Sequence, residues 1–287
     1  MLVGSMLPVL KILKTISSYI GKGGVRAALF DCFLSSLLKM AKPRGKVAMD
    51  NLSIAFPQSD AEWRKKILIK AYNHLSSALV EYIVALNDPE VVVSWFEKTE
   101  GKEYLDEALA NGKGAILLFG HFGNWELLGG WLALSNYPVY AMVRKHDDKD
   151  LEELIDSYRR RMGLKVIDKD NIREPVRQLK KGHFVAIAGD QYWGAGGIEA
   201  PFFGKLCSTP SGPAMYAFLT GAPIIPIAAY RNGKYRYTFE AQPSIKPQRQ
   251  ADKQKEISRL TIKANQAIEE MIKRAPEQWL WMHRRWR

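Results

Sequence analysis

The sequence predicts one α/β domain with a mostly parallel central sheet flanked by helices, preceded by N-terminal amphipathic helices. From residue 115 onward, short apolar runs alternate with amphipathic runs, as strands and helices do in a parallel sheet covered on both faces. No Ser/Gly-rich linker and no internal repeat divides the 287 residues. Hydrophobic residues make up 47%, which suits a globular core. We therefore expect an N-terminal segment over residues 1–44 and one folded domain over residues 45–287.

The N-terminal segment contains two apolar stretches that carry basic residues. In residues 6–20 the apolar side chains recur at helical spacing, and Lys11 and Lys14 interrupt the run, so the pattern favours an amphipathic helix over a spanning one. Residues 25–40 form a second apolar stretch, and basic residues follow it. Such a pair is typical of helices that lie on an anionic membrane surface. The alternative is that both helices cover the core of a soluble protein.

The chain between this segment and the first predicted strand of the sheet is mainly helical. Residues 51–57 have the composition of a turn-like connector. Ser59 and Glu62 form a capping box, which predicts that a long helix begins there. Residues 101–110 predict a short helix, because Asn-Gly follows them as a stop signal.

The remaining chain supplies the alternating elements in order. The predicted strands are residues 115–119, 138–143, 164–167, 183–188, 223–229 and 234–240. The predicted helices are residues 126–134, 151–162, 174–181, 211–220 and 253–272. The last strand alternates in polarity, as a half-exposed edge strand does.

The loop after the first of these strands, residues 120–126, carries the strongest candidate site. Ligands of open α/β sheets bind outside the carboxyl ends of the strands. His121 and Glu126 are five positions apart, about 140° on a straight helix, so they meet only if His121 lies in the loop and Glu126 in the first helical turn. His121 would then take a proton from an attacking hydroxyl, and Glu126 would fix the ring tautomer. The alternative is a polar loop histidine beside a carboxylate that the helix dipole favours.

Signals for other chemistries are absent from the sequence. There is no G-x-S-x-G elbow, no P-loop and no H-E-x-x-H motif. Cys32 and Cys207 cannot form a disulfide framework or a Cys-rich metal site. These absences favour direct attack by a hydroxyl over a covalent enzyme intermediate, without a metal.

The loop and several further sequence blocks resemble a known family. The segment 121–126 is similar to the H-x4-D/E motif of the lysophospholipid acyltransferase superfamily. The accompanying blocks come in the order of the late acyltransferases of lipid A biosynthesis, bacterial enzymes of the lauroyl and myristoyl type. These blocks are residues 47–57, 189–191, 202–204, 212–214, 220–223 and 276–286. The resemblance extends from about Arg44 to Arg287.

The resemblance implies a fold, a reaction and a place of action. The fold would be glycerolipid acyltransferase-like, and the reaction would transfer a fatty acyl group to a hydroxyl of a phosphorylated membrane glycolipid. The donor would be the thioester of acyl carrier protein or coenzyme A, with no metal or redox cofactor. His121 would be the general base and Glu126 its partner. The enzyme would act at the cytoplasmic face of the bacterial inner membrane, and lipopolysaccharide biosynthesis would be its pathway.

Other residues near strand ends are candidates for binding the substrates. Backbone N–H groups of Gly123, Asn124 and Trp125, near a helix start, would stabilise the oxyanion of the reaction. Arg144 follows a strand and would hold a phosphate, unless it is an ordinary surface arginine. Asp190 and Gln191 end another strand, and they would hydrogen-bond a sugar or support the His121 loop. His183 is expected to be structural and His283 to belong to a solvated basic end.

The formal net charge of +12 leaves the partner class open on its own. Nucleic acid, an anionic membrane and an acidic substrate all match a basic protein. The basic and aromatic residues 279–287 suit nucleic acid, but no nucleic-acid-binding motif is visible, and Trp beside Arg also suits a membrane interface. The resemblance favours the membrane and the acyl donor as partners, without nucleic acid. An acyltransferase for another polar lipid, such as a mannosylated phosphoinositide, remains the alternative within the same chemistry. The Phe-Pro-Glu-Gly-Thr-like block of the glycerol-phosphate acyltransferases is absent, which argues against simple glycerophospholipid synthesis.

Overall fold

The computed structural model describes residues 15–144 and 149–287, with the backbone alone at residues 149–151 and 154. Its helices are α1 (residues 15–20), α2 (Val25–Ala41), α3 (Gly45–Ala55), α4 (Ala61–Asn87), α5 (Val91–Trp95), α6 (Lys102–Ala110), α7 (Trp125–Leu134), α8 (Lys149–Arg161), α9 (Arg173–Lys180), α10 (Gly212–Thr220) and α11 (Lys253–Arg274). Its strands are β1 (Phe96–Glu100), β2 (Ala115–Phe119), β3 (Val139–Val143), β4 (Lys165–Asp168), β5 (Phe184–Ala188), β6 (Ile198–Phe202), β7 (Lys205–Thr209), β8 (Ile224–Gly233) and β9 (Arg236–Ala241).

One seven-stranded sheet forms the centre of the protein, in the order β1-β9-β8-β2-β5-β3-β4. Every neighbouring pair in it is parallel except β8 and β9. Strands β6 and β7 form a separate antiparallel hairpin. Helices connect and cover the strands, so the predicted α/β class with a mostly parallel sheet is confirmed.

Strand β2 lies in the middle of the sheet and is covered on both faces. Ile116 and Leu118 pack into the core on one face, together with residues of α10 and α11. Ala115 and Leu117 pack into the core on the other face, together with residues of α7. All four are fully buried, which explains why this strand is a continuous apolar run in the sequence.

The predicted connector at residues 51–57 is wrong over most of its length, because residues 51–55 belong to α3. Ala48 and Leu52 of this helix are buried in the core. Asn51 is also buried, and its side-chain amide donates hydrogen bonds to the carbonyls of Trp281 and His283 at 2.7 and 2.6 Å. These contacts with residues far along the chain hold a helix where local composition indicates a turn. The long helix α4 begins as predicted, but its N-cap is Asp60, which accepts from the Trp63 N–H.

The prediction of an edge strand at residues 234–240 is also wrong. Strand β9 lies between β8 and β1, and Tyr237 and Phe239 are fully buried. Strand β1, which pairs with the outer side of β9, has the sequence FEKTE and three exposed residues in succession. Because β1 has almost no apolar pattern, it cannot be predicted from the sequence as a strand. Without β1, β9 would be the edge strand of the sheet.

Helix α2 packs on α4 through one face, and its other face is largely exposed in the described part of the chain. On the packed face, the Asp31 carboxylate accepts hydrogen bonds from the hydroxyls of Ser76 and Ser77 at 2.6 and 2.9 Å. The opposite face presents large apolar side chains to solvent. These are Val25, Leu29, Phe33, Leu37 and Met40, with 48–81% of their surface exposed, and we call them the apolar stripe. None of the described helices is long and apolar enough to cross a membrane, and the prediction for residues 1–14 lies outside the described part of the chain.

Candidate functional site

The sheet brings two predicted site segments together at the carboxyl ends of β2 and β5. These strands are parallel neighbours, and their last residues, Phe119 and Ala188, are paired in register. His121 and Asp190 each follow two residues later. Between β2 and α7 the chain turns at Gly123, which has a φ of +59° and lies so close to the Ala229 carbonyl that a Cβ atom there would approach its oxygen to 1.8 Å. Only glycine fits this turn.

His121 and Asp190 form a hydrogen-bonded pair. The Nδ1 atom of His121 is 2.9 Å from Asp190 Oδ1, and the backbone N–H of His121 donates to Oδ2 at 2.7 Å. The indole N–H of Trp279 donates to the same Oδ2 atom at 2.8 Å. Asp190 is buried and its carboxylate is held from several directions, so it fixes the imidazole ring in place. With Nδ1–H donated to Asp190, the neutral ring has its lone pair on Nε2.

Electrostatics shift both partners toward the charged pair. Burial disfavours the imidazolium, but the charge and hydrogen bond of Asp190, with a smaller contribution from Glu126, raise the pKa of His121 above its ordinary value of 6.5. Burial also disfavours the Asp190 carboxylate, yet His121 and the indole N–H of Trp279 outweigh it and lower the pKa of Asp190 to about 2. Asp190 is therefore ionised at neutral pH and favours protonation of His121.

Glu126 lies in the first turn of α7, as predicted, and its hydrogen-bond partner is Arg159. Arg159 Nη2 donates to the two carboxylate oxygens at 3.1 and 3.5 Å. Only 8% of the Arg159 side chain is exposed, and Asp156 lies 3.6 Å from it. The carboxylate that is hydrogen-bonded to the His121 ring is thus that of Asp190, whereas Glu126 acts on His121 only through its charge.

The other residues predicted for the site have structural contacts of their own. The Gly123 N–H donates to the Gln278 carbonyl at 2.9 Å. The Asn124 side chain caps α7 by accepting from the Leu127 N–H. Trp125 packs edge-on against the His121 ring, with centroids 5.0 Å apart. Gln191 Nε2 lies 3.3 Å from His121 Nε2, which is consistent with an unprotonated nitrogen there.

Arg144, the remaining candidate, follows β3 at the same edge of the sheet as His121. Strand β3 pairs with β5, so one strand separates it from β2. Arg144 is exposed and lies beside residues 145–148, outside the described ranges.

Sequence patterns missed several residues that the fold brings to the site. His74 of α4 is partly buried, and its Nε2 atom lies 3.1 Å from the Gly123 carbonyl. Burial, partly offset by this backbone hydrogen bond, lowers the pKa of His74 to about 4. Trp279 and His283 come from a segment about 160 residues beyond the loop, so no local spacing connects them to it.

The interpretation of His283 as part of a solvated basic end is wrong. The Leu280 N–H donates to the His121 carbonyl at 3.0 Å, which places segment 279–287 along the site. His283 is half-buried, and its Nε2 atom accepts from the Tyr192 N–H at 3.3 Å. Arg285 is fully buried, and its guanidinium donates to the Ser208 carbonyl and the Thr209 hydroxyl at 2.7 Å. The predicted structural role of His183 agrees with its ring stacked on Tyr140.

A small cavity lies beside His121, between α4 and segment 278–282. Its lining is mainly apolar and includes Trp125 and His74. The lining residues are Ala71, His74, Leu75, Ala78, His121, Gly123, Trp125, Gln278, Trp279, Leu280 and Met282. The candidate base therefore borders a narrow gap about the size of one water molecule.

Comparison with known proteins finds a family that matches most of the chain. The family described as bacterial lipid A biosynthesis acyltransferase matches residues 25–287. The lipid A biosynthesis palmitoleoyltransferase of Escherichia coli K12 is 33% identical over 265 residues, which cover 89% of this chain and 84% of the relative. The lipid A biosynthesis lauroyltransferase of the same organism is 26% identical over 261 residues, covering 89% and 83%. The phosphatidylinositol mannoside acyltransferase of Mycobacterium tuberculosis CDC 1551 is 28% identical over 150 residues, covering 50% and 47%.

Proposed function

The chain belongs to the bacterial lipid A biosynthesis acyltransferase family, and we propose that it transfers a fatty acyl group from a thioester to a hydroxyl of a lipid A-type glycolipid. The observation that carries this proposal is the His121–Asp190 pair at the carboxyl edge of the sheet, next to an apolar cavity. The donor is the thioester of acyl carrier protein or coenzyme A. The reaction requires no metal or redox cofactor, because a thioester is already activated.

His121 is the general base of the proposed reaction. Its Nε2 atom removes the proton from the acceptor hydroxyl as the hydroxyl oxygen attacks the thioester carbonyl carbon. Asp190, held against Nδ1 at 2.9 Å, stabilises the resulting imidazolium. The tetrahedral oxyanion then collapses, the C–S bond breaks, and the proton on His121 passes to the leaving sulfur. An ester and a free thiol are the products, and no acyl-enzyme forms.

Backbone groups at the start of α7 would stabilise the oxyanion. The Gly123 N–H already donates to Gln278, so this role falls to N–H groups of the first turn, such as that of Trp125, which have no partner within a helix. Gly123 and Asn124 support the turn that positions them.

Glu126 is the second acidic member of the proposed catalytic group. Its charge favours the imidazolium form of His121, and its pairing with Arg159 keeps that charge fixed near the reaction. Gln191 contacts Nε2 of His121 and would exchange this contact for the acceptor hydroxyl. Arg144 at the same edge would bind a phosphate of a substrate.

The proposed place of action is the cytoplasmic face of the bacterial inner membrane. The side chains of the apolar stripe of α2 are 48–81% exposed, and Arg26 and Lys39 lie on the same helix. Apolar side chains flanked by basic residues bind anionic bilayers. We propose that residues 1–44 form the membrane-associating segment and residues 45–287 the acyltransferase domain.

Acyl transfer itself provides the test of the proposed function. The purified protein, a phosphorylated disaccharide lipid acceptor and acyl-acyl carrier protein or acyl-coenzyme A are incubated, and the products are analysed by mass spectrometry. We expect the acceptor to gain the mass of one acyl group and a free thiol to appear. A mannosylated phosphoinositide serves as the second acceptor. Acylation of this lipid alone would contradict the lipid A assignment, and acylation of neither would contradict the reaction.

The membrane role of the apolar stripe predicts a loss of vesicle binding. Changing Leu29, Phe33 and Leu37 together to Ser removes three side chains that are 48–64% exposed, so folding should be little affected. Burying one such side chain contributes about 1.5–3 kcal/mol, so we expect binding to vesicles with anionic lipid to fall by at least tenfold in sedimentation. Ile172→Ser, at an exposed apolar residue outside α2, is the control. Equal sedimentation of the triple variant and the control would rule out the stripe as the contact.

A further inference from the structure

The segment 279–287 brings positively charged side chains to the edge of the site. The proposed reaction assigns no role to these charges. The guanidinium of Arg287 lies over the Tyr192 ring, 5.2 Å from its centroid, and Tyr192 is the neighbour of Gln191. Arg44, from the N-cap of α3, reaches the same segment, because its Nη1 atom is 3.5 Å from the Met282 carbonyl. Both arginines are exposed, and in the described residues neither has a carboxylate within ion-pair distance.

His283 is close to both Arg287 and the His121–Asp190 pair, since all three residues act electrostatically on its ring, and it follows Met282, the residue whose carbonyl Arg44 contacts. Its Nε2 atom accepts from the Tyr192 N–H, so the proton of the neutral ring is on Nδ1, which is left as a donor. Its carbonyl is held by the Asn51 amide at 2.6 Å, which fixes the backbone at this position. The groups that act electrostatically on the ring are Asp190, His121, Arg287 and Arg285. Burial and the cationic neighbours outweigh Asp190 and lower the pKa of His283, so the ring is neutral at pH 7.

The guanidinium groups of Arg44 and Arg287 and the N–H group of His283 are suited to binding a phosphate. Guanidinium groups bind phosphate through short charge-assisted hydrogen bonds, and a phosphate monoester carries nearly two negative charges at neutral pH. Asp190 cannot neutralise Arg287 directly, because its oxygens are engaged by His121 and Trp279. The neutral His283 ring can donate a hydrogen bond to the phosphate from Nδ1, and no additional charged group has to be desolvated.

We propose that Arg44, His283 and Arg287 form a subsite for a phosphate monoester beside His121. The proposal rests on the proposed function for the source of the phosphate, which is a phosphate monoester of either the glycolipid acceptor or a coenzyme A donor. The subsite would fix the distance between that phosphate and the reacting hydroxyl or carbonyl. It would thus select which hydroxyl of the acceptor reaches Nε2 of His121, or orient the donor.

Phosphate binding is measured first, without turnover. Inorganic phosphate is titrated into the full-length protein, and the ring resonances of His283 are followed by NMR, with chloride at the same ionic strength as the reference. We expect phosphate to raise the pKa of His283, because a bound anion favours the imidazolium form. The double variant Arg44→Gln/Arg287→Gln should lose this response. Arg249→Gln removes an exposed arginine near the opposite edge of the sheet and should keep it.

Kinetics then identify the source of the phosphate. We expect the double variant to raise the KM for one substrate about tenfold per lost contact, with kcat little changed. If the acceptor supplies the phosphate, the difference in KM disappears with a dephosphorylated acceptor. If the donor supplies it, the KM for the donor alone rises, which supports the subsite as well.

Two results would overturn the subsite. One is a His283 pKa that does not respond to phosphate in the wild-type protein, together with unchanged KM values in the double variant. The other is a KM effect that disappears when vesicles are replaced by detergent micelles, since the arginines would then bind the bilayer and not a substrate. Because the NMR titration needs no turnover, failure of the proposed function and failure of the subsite give different results.

Discussion

His121→Ala is expected to abolish acyl transfer while the protein folds and binds membranes. In the proposed reaction, this substitution removes the atom that would take the proton from the acceptor hydroxyl, and loss of a general base costs about 10²–10⁴-fold in rate. Asp190 loses its ring partner, but the backbone N–H of residue 121 and the Trp279 indole still donate to its Oδ2 atom, so we expect the fold to be retained at some cost in stability. Transfer of a labelled acyl group to the acceptor, measured under single-turnover conditions, gives the effect on chemistry.

The control for this variant is Gln191→Ala, which removes a neighbour of the same ring nitrogen and leaves the base intact. We expect it to keep most of the rate. Circular dichroism and sedimentation with anionic vesicles show whether both variants fold and bind. If His121→Ala retained a rate similar to that of Gln191→Ala, His121 could not be the base, and another group would have to accept the proton.

The sheet was predictable from the sequence because its central strands are apolar on both faces. The prediction for residues 115–119 is confirmed and that for residues 183–188 begins one residue early, since buried parallel strands leave a continuous apolar run. Strand β1 was missed and β9 was placed at an edge for the opposite reason. The exposed Lys98 and its neighbours give β1 no apolar pattern, so only its tertiary pairing with β9 identifies it as a strand.

The candidate site was partly predictable, and the missing part depends on tertiary structure. His121 and Glu126 share one loop and one helix start, so their spacing indicated a relation between them. Asp190 lies 69 residues from His121, and only the pairing of β2 with β5 brings it to the ring. Trp279 approaches Asp190 from a still more distant segment. Local spacing therefore predicts that Glu126 contacts the His121 ring. In the structure, the pairing of β2 with β5 places a second carboxylate, that of Asp190, on the ring instead.

Asp190→Asn is expected to lower kcat/KM by about 10²–10³-fold and to change its pH dependence. The neutral base is the active form, so activity rises with pH through the pKa of His121. Asp190 holds that pKa above 6.5, and without its charge, burial dominates and lowers the pKa. The acidic limb of the profile should therefore move to lower pH, while the plateau falls because the imidazolium is no longer stabilised. A kcat/KM profile from pH 4.5 to 9 measures both effects.

Two further variants separate the roles of the carboxylates. Trp279→Phe removes one hydrogen bond to Asp190 but leaves the 2.9 Å contact with His121, so its acidic limb should stay near that of the wild type. Glu126→Gln should move the limb less than Asp190→Asn, because its charge contributes less to the pKa of His121. It should also lower thermal stability, since Arg159 would lose its nearest carboxylate in a buried position. A larger pH shift in Glu126→Gln than in Asp190→Asn would make Glu126 the electrostatic partner of His121, as the H-x4-E spacing predicts.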